Sequence, residues 1–432
     1  MNGARGWGWL ALIGSFGLGV TGRAEEAVNR LLLVNCQIIT LAQGQEDPFV
    51  GYIVVDHRGK IAKIGKGAAP ASIEASEVFD AAGQVAMPGF VSARTRLADS
   101  VARGGAPDGT AAQADATIQS LLRGNRIQKG DLYVYTLHGA LDLLRAGITT
   151  VYNDTTGSGS LPTALYLEQL DAEFDAGGHF VFGYQAGPAE APERLRAGLR
   201  SYLDKAAGHA PSGLLLRSNM AGLALRGAEA DALRAFPEFA NDLQVRCLGF
   251  QPPATNAPAS AGASLVWSPM SDGRLGLGMA DVPGYLKMGL TVGLGIDSLA
   301  GAGIADPFEN IRMGLYGIRF RDSDPRGLQP LAMLRMHTIG AARAIHVADR
   351  VGTLEPGKYG DIVLIDPHWP DTGPVLDLYA TLVLACDRLN ISNVFVAGKP
   401  VVRQGRHAWL DLNGVSREAR RRAGSRLAGA PP

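Results

Sequence analysis

Residues 87–97 read Met-Pro-Gly-Phe-Val-Ser-Ala-Arg-Thr-Arg-Leu. Residues 85–92 form a short apolar run that reads as a buried strand. Arg94 and Arg96 stand just beyond it, at its C-terminal end. Arginine is a permanent cation with five donors and no lone pair to offer a metal. The strand and its surroundings set the fold, and the two arginines set the chemistry.

Working outward, residues 30–85 read as short strands separated by turns, with apolar stretches at 31–34, 37–40, 51–55 and 60–65. A second β-rich stretch near the other end runs through 352–358, 361–366 and 393–399. Two β segments flanking a central block predict one small β-sandwich assembled from both chain ends. The block itself alternates candidate strands at 85–92, 148–153, 180–184, 214–218, 245–250, 264–267 and 291–295 with helical stretches such as 132–146 and 195–207. That is the rhythm of parallel βα units. Seven strands are visible where a (β/α)8 barrel wants eight, so a fourth is expected to be degenerate or hidden between 187 and 212. Residues 330–346 read as the last barrel helix, with Leu331, Leu334, Thr338, Ala341 and Ala342 on one face. The expected fold class is α/β, a TIM-like barrel plus a small β-sandwich. The expected division is a leader at 1–27, a composite sandwich at 28–85 and 347–410, a barrel at 86–346, and a frayed basic tail at 411–432.

Composition excludes some classes. The 41 basic and 41 acidic residues balance, so no overall field recruits nucleic acid. The three cysteines, Cys36, Cys247 and Cys386, are far apart and give neither a disulfide framework nor a zinc spacing. Arg5, the apolar run 7–20 and Ala24 resemble a secretory signal peptide, which predicts a periplasmic or secreted protein, with a cytoplasmic one as the alternative. That run is shorter than the roughly 20 residues a membrane span needs, and no later stretch is long and apolar enough for a stable span.

The stretch at 87–96 resembles the amidohydrolase-superfamily string M-P-G-[FL]-[VI]-[ND]-x-H-x-H. Supporting strings are 147–151 (Gly-Ile-Thr-Thr-Val), 267–272 (Trp-Ser-Pro-Met-Ser-Asp), 293–298 (Gly-Leu-Gly-Ile-Asp-Ser) and 352–363, which is similar to G-x-L-E-x-G-K-x-[AG]-D-[IL]-V. The likeness covers roughly 30–410 and is nearest the chlorohydrolase and deaminase-like branch. It implies hydrolysis of non-peptide C–N bonds by a zinc or iron ion, which lowers its bound water's pKa to roughly 7.

The same resemblance locates four histidine ligands and a general acid/base glutamate, and this chain departs at each. Arg94 and Arg96 replace the first-strand pair, Arg217 the fifth-strand ligand, Met220 the glutamate and Arg246 the sixth-strand ligand. Asp297 alone is retained, at the position of the family's metal contact and proton shuttle. None of the eight histidines sits at a strand end beside a second ligand, so no metal site and no cofactor are expected. Arg94, Arg96, Arg217 and Arg246 would form a mouth for a small anionic ligand, with Asp297, Asp154 and Asp99 at hand to offset charge. The leading expectation is therefore a pseudoenzyme, a non-catalytic or small-anion-binding homologue that has lost metal-dependent catalysis. The alternative is an active deaminase-type hydrolase with a divergent or metal-independent site, with Asp297 as base but no proton donor to replace the lost glutamate. A homodimer is a family-level expectation.

Overall fold

The computed structural model describes residues 29–105, 127–156, 161–185, 192–208 and 264–427, a few positions between 108 and 122, and two short strands within 209–263. The leader reading of 1–27 lies outside these residues.

The N-terminal strands are β1 (Asn29–Ile38), β2 (Phe49–Val55), β3 (Ile61–Lys66), β4 (Ala75–Asp80) and β5 (Val85–Pro88). In β1 the register against β2 shifts between Leu33 and Cys36, and Asn35 takes a left-handed φ of 53°. This bulge restores the side-chain parity. Leu31, Leu33, Cys36 and Ile38 all enter one core with Ile53 and Val55, while Leu32, Tyr52 and Val54 pack on the other face. The Cys36 thiol, buried there, is pushed up to about 12.

One residue, Gly89, separates β5 from the barrel strand β6 (Phe90–Arg96). Parallel pairing continues through β7 (Ile148–Thr155), β8 (His179–Gln185), β9 (Ala221–Ala224) and β10 (Arg246–Leu248). A second parallel pair joins β11 (Ser264–Trp267) to β12 (Thr291–Leu294), and β13 (Asp297–Ser298) returns to the free edge of β6. β12 and β13 share one strand position, bent at Gly295–Ile296. The first helices are α1 (Asp131–Arg145) between β6 and β7, α2 (Glu168–Ala176) between β7 and β8, and α3 (Pro192–Gly208) between β8 and β9. Short α4 (Pro269–Arg274) follows β11. Longer α5 (Pro307–Asp322) and short α6 (Pro330–Arg335) follow β13, and α6 continues through a π-helical turn, Met336–Gly340. Phe90 meets Phe308 of α5 edge to face at 5.2 Å, joining helix to barrel wall. The fold is a (β/α)8-type barrel.

One expectation is corrected here. No strand fills 187–212 among the described residues: 192–208 is α3, and β9 pairs β8 directly. The candidate strand at 214–218 lies outside the described residues, and the strand observed in that region is β9.

The end strands β14 (Ile362–Ile365), β15 (Ile391–Val396), β16 (Lys399–Arg403) and β17 (Arg406–His407) complete a nine-stranded sheet with β1–β5, β14 lying against β5. The sheet forks at β1, whose first half pairs β4 and second half β5. The tail expected to fray is instead helix α7 (Leu412–Leu427). Arg422 is the reason. Its guanidinium bonds Glu418 one turn back and reaches Asp131, fully buried at the start of α1, at 3.0 Å.

Beneath the end of β7, Asn153 joins two elements. Its Oδ1 accepts from Leu97 N at 3.2 Å and its Nδ2 donates to Glu173 of α2 at 2.6 Å. Burial pushes the Glu173 carboxyl up to about 8, against the pull of the Asn153 bond. A folded-state value above the unfolded one means that the native state holds the extra proton. Stability from this group is full below about 4.5 and is lost as pH rises to about 8. In thermal melts across that window, Glu173→Gln is expected to flatten the decline of Tm with pH. Parallel Tm curves for the two proteins would contradict this account.

Candidate functional site

Three neighbouring strand ends meet at the C-terminal mouth of the barrel, where such folds carry their chemistry. β6 lies between β7 and β13, with Thr95 opposite both Asn153 and Asp297. Arg94, Asp154 and Asp297 thus rise side by side. The Arg94 guanidinium donates from Nε and Nη2 to Asp154 Oδ2, at 3.1 and 2.8 Å, and from Nη1 to Asp297 Oδ1. Burial works against the Arg94 charge, but Asp297 and Asp154 outweigh both burial and the neighbouring Arg96, so its pKa lies above the ordinary arginine value.

The backbone is shaped to allow this contact. A Cβ on Gly295 would lie 2.9 Å from the Arg94 carbonyl oxygen, so only glycine lets the chain pass there. Two residues later Asp297 adopts φ 57°, a left-handed conformation that aspartate tolerates better than most side chains. Ser92 fastens the two segments, donating to Arg94 O at 3.0 Å and accepting from Ile296 N at 3.0 Å. Beside this cluster Arg96 pairs with Asp99 at 3.1 Å, and Asp99 also accepts from Ser298 Oγ at 2.7 Å. Asp154 and Asp99 are thus the partners of Arg94 and Arg96.

A fourth carboxyl enters from α4. Pro269 starts this helix directly after β11, which places Asp272 in its first turn. Burial, with the Asp297 carboxylate adding to it, pushes Asp272 up to about 7, while a backbone bond at Ser268 and Arg94 pull the other way. Asp272 Oδ2 and Asp154 Oδ1 are both buried without a hydrogen-bond partner among the described residues. Sequence reasoning quoted Asp272 within 267–272 but gave it no role. A carboxylate just past the end of a barrel strand was the available signal.

Arg217 and Met220 lie outside the described residues, and Arg246 opens β10 with its side chain undescribed. His138 Nδ1 lies 2.9 Å from Ser100 Oγ, and His179 Nε2 is 3.1 Å from Asp361 at the opposite end of its strand. Of the four arginines expected to form an anion mouth, Arg94 and Arg96 face Asp154, Asp297 and Asp99, while the side chains of Arg217 and Arg246 lie outside the described residues.

A catalytic zinc needs lone-pair donors around an open position. Here Asp297 faces a guanidinium, and among the described residues no group of three or more His, Cys, Asp or Glu could hold a metal. The described residues do not fit the ion.

A sequence profile of the amidohydrolase family matches residues 255–401. A 5-methylthioadenosine/S-adenosylhomocysteine deaminase of Desulforamulus reducens is 26% identical over 93% of this chain and 100% of its own length. A 5'-deoxyadenosine deaminase of Methanosarcina mazei is 25% identical over 91% of this chain and 97% of its own. Among solved structures, an adenosine deaminase from Xanthomonas campestris with bound zinc superposes with a TM-score of 0.77 at 19% identity, covering 92% of this chain and 99% of that one. Atrazine chlorohydrolase of Arthrobacter aurescens, solved with zinc, gives 0.78 at 21% identity, covering 91% and 100%. These relatives overturn the leading expectation. Proteins matched along nearly the whole chain are deaminases, so the non-catalytic, anion-binding pseudoenzyme reading is withdrawn, and nothing in them supports the periplasmic one. The barrel, its end sheet, the profile match and these full-length relatives agree: the chain belongs to the amidohydrolase superfamily.

Proposed function

We propose that this protein is a deaminase-type hydrolase that exchanges a ring amino group for a water oxygen, using paired carboxylates in place of a metal ion. One arrangement carries the reading: Asp272 is buried in the first turn of α4 with an unpartnered Oδ2, where burial and the Asp297 carboxylate push it up to about 7. Two carboxyl groups in unlike environments can divide acid and base work. The proton donor that the sequence lacked at Met220 is supplied from α4.

Asp297, aligned by Arg94, takes a proton from water, whose oxygen bonds to the carbon bearing the amine. Protonated Asp272 delivers its proton to the adjacent ring nitrogen. Collapse breaks the C–N bond, ammonia leaves with the proton Asp297 had taken, and the remaining hydroxyl returns its proton to Asp272 as the ring carbonyl forms. An amino-substituted ring also suits the two partnerless oxygens. Its N–H meets Asp154 Oδ1, and its basic ring nitrogen meets the acid form of Asp272. The relatives' names supply the substrates to try first: 5'-deoxyadenosine, 5-methylthioadenosine and S-adenosylhomocysteine.

Ammonia release from these nucleosides, assayed with and without a chelator, tests the proposal. Release is expected to be chelator-insensitive and to fall about 100-fold or more in Asp272→Asn. No release from any of the three, or release lost to the chelator and restored by zinc, rejects it. Because Asp272 acts in its protonated form, kcat/KM should be level below about 7 and decline as pH rises through that value. A profile that instead climbs through neutrality would assign Asp272 the opposite role.

Arg94→Ala leaves Asp154, which is fully buried, without its cation. Breaking a buried pair from one side costs roughly 3–5 kcal/mol, a drop in Tm on the order of 10 °C. Arg94→Lys should recover only part of this, because one ammonium cannot reproduce a fork bridging two carboxylates. Calorimetry on the two variants measures the difference.

A further inference from the structure

Arg94, Asp297 and Asp272 ride on three separate segments, and one pair of buried side chains touches all three. Asn310 lies on α5 and His337 in the π turn, both with no exposed surface. Asn310 Oδ1 accepts from Met270 N at 3.3 Å, two residues before Asp272. Asn310 Nδ2 donates to Gly295 O at 3.1 Å, two residues before Asp297, and lies 3.4 Å from His337 Nε2. His337 Nδ1 lies 2.9 Å from Val91 O, three residues before Arg94.

The chemistry of these partners fixes every orientation. A carbonyl only accepts, so Nδ1 carries the imidazole proton and Nε2 offers its lone pair to the Asn310 amide. Burial pushes His337 down to about 4, so it stays neutral at working pH. The Asn310 oxygen must face Met270 N and its nitrogen Gly295 O, which leaves no room for a flipped amide. Met270 N is one of the orphan donors of a helix start. The N-cap residue Ser268 makes no side-chain cap, so Asn310 caps α4 from outside. His337 reaches Val91 from a π turn, a local widening found most often at functional sites. Phe90 and Phe308 surround the pair with apolar surface, where an amide–imidazole contact is costly unless fully bonded.

We propose that Asn310 and His337 form a positioning clamp that sets the mutual geometry of Arg94, Asp297 and Asp272. The clamp rests on the carboxylate-pair reading for its purpose, but it can be measured without turnover. A displacement of about 1 Å at reacting groups costs up to about 100-fold in rate.

The experiment compares Asn310→Ala and His337→Phe with Leu315→Ala, a control that opens a cavity on the same helix, away from the clamp. The aromatic replacement suits its Phe90 neighbour and serves where Asn310→Ala does not fold. The carboxyl titration of Asp272 is followed by NMR on protein labelled with 13C-aspartate, with the signal assigned by its loss in Asp272→Asn. Both clamp variants are expected to move the Asp272 midpoint away from its wild-type value and to lower kcat about 10- to 100-fold with little change in KM. The control should lose thermal stability and keep the wild-type midpoint. Clamp variants that titrate like wild type, or a control that shifts as much as they do, overturn the proposal. If wild type releases no ammonia, the functional reading fails while the titration still decides the clamp.

Discussion

One guanidinium holds the mouth of this barrel together. Arg94 brings a fixed positive charge to the end of its strand. Asp154 and Asp297 are drawn to it from the strands on either side. A buried ion pair is weak evidence for stability, since desolvation can exceed the attraction. Its better attested use is to fix register, and here that register is the alignment of three strand ends. The open backbone at Gly295, the left-handed Asp297 and the Ser92 bridge all serve this one contact.

A fixed cation and a metal ion are not equivalent. An ion lowers the pKa of bound water directly. A guanidinium has no vacant coordination site and binds through hydrogen bonds, so in the proposed reaction the acid and base work falls to side chains. That division explains why Asp272 matters. Low polarity around α4, with a second carboxylate nearby, keeps one carboxyl near neutrality while its neighbour faces an arginine.

Much of this was legible in the sequence. The string at 87–97, the strand rhythm of the central block and the β segments at both ends gave the barrel and its sheet, because hydrophobic period and turn residues are local signals. Asp154 and Asp99 were recognisable as partners for arginines from their positions after strands. What failed was the step from missing ligands to missing catalysis. A search tuned to histidine passes over Asp272, since its raised pKa arises from burial and from Asp297, both tertiary. The tail misled for a similar reason. Its arginines look like a solvated charge run until Asp131, nearly three hundred residues away in sequence, supplies a buried partner.

The single residue between β5 and β6 has a consequence for how the chain is made. β5 sits between β1 and β14, so the end sheet cannot close until the C-terminal strands have left the ribosome. Through Gly89 that late closure is tied directly to the strand carrying Arg94. Contacts so distant in sequence form slowly, because loop closure precedes their reward. The nascent barrel must therefore wait, its first strand in place but unanchored at its base until β14 arrives beside β5.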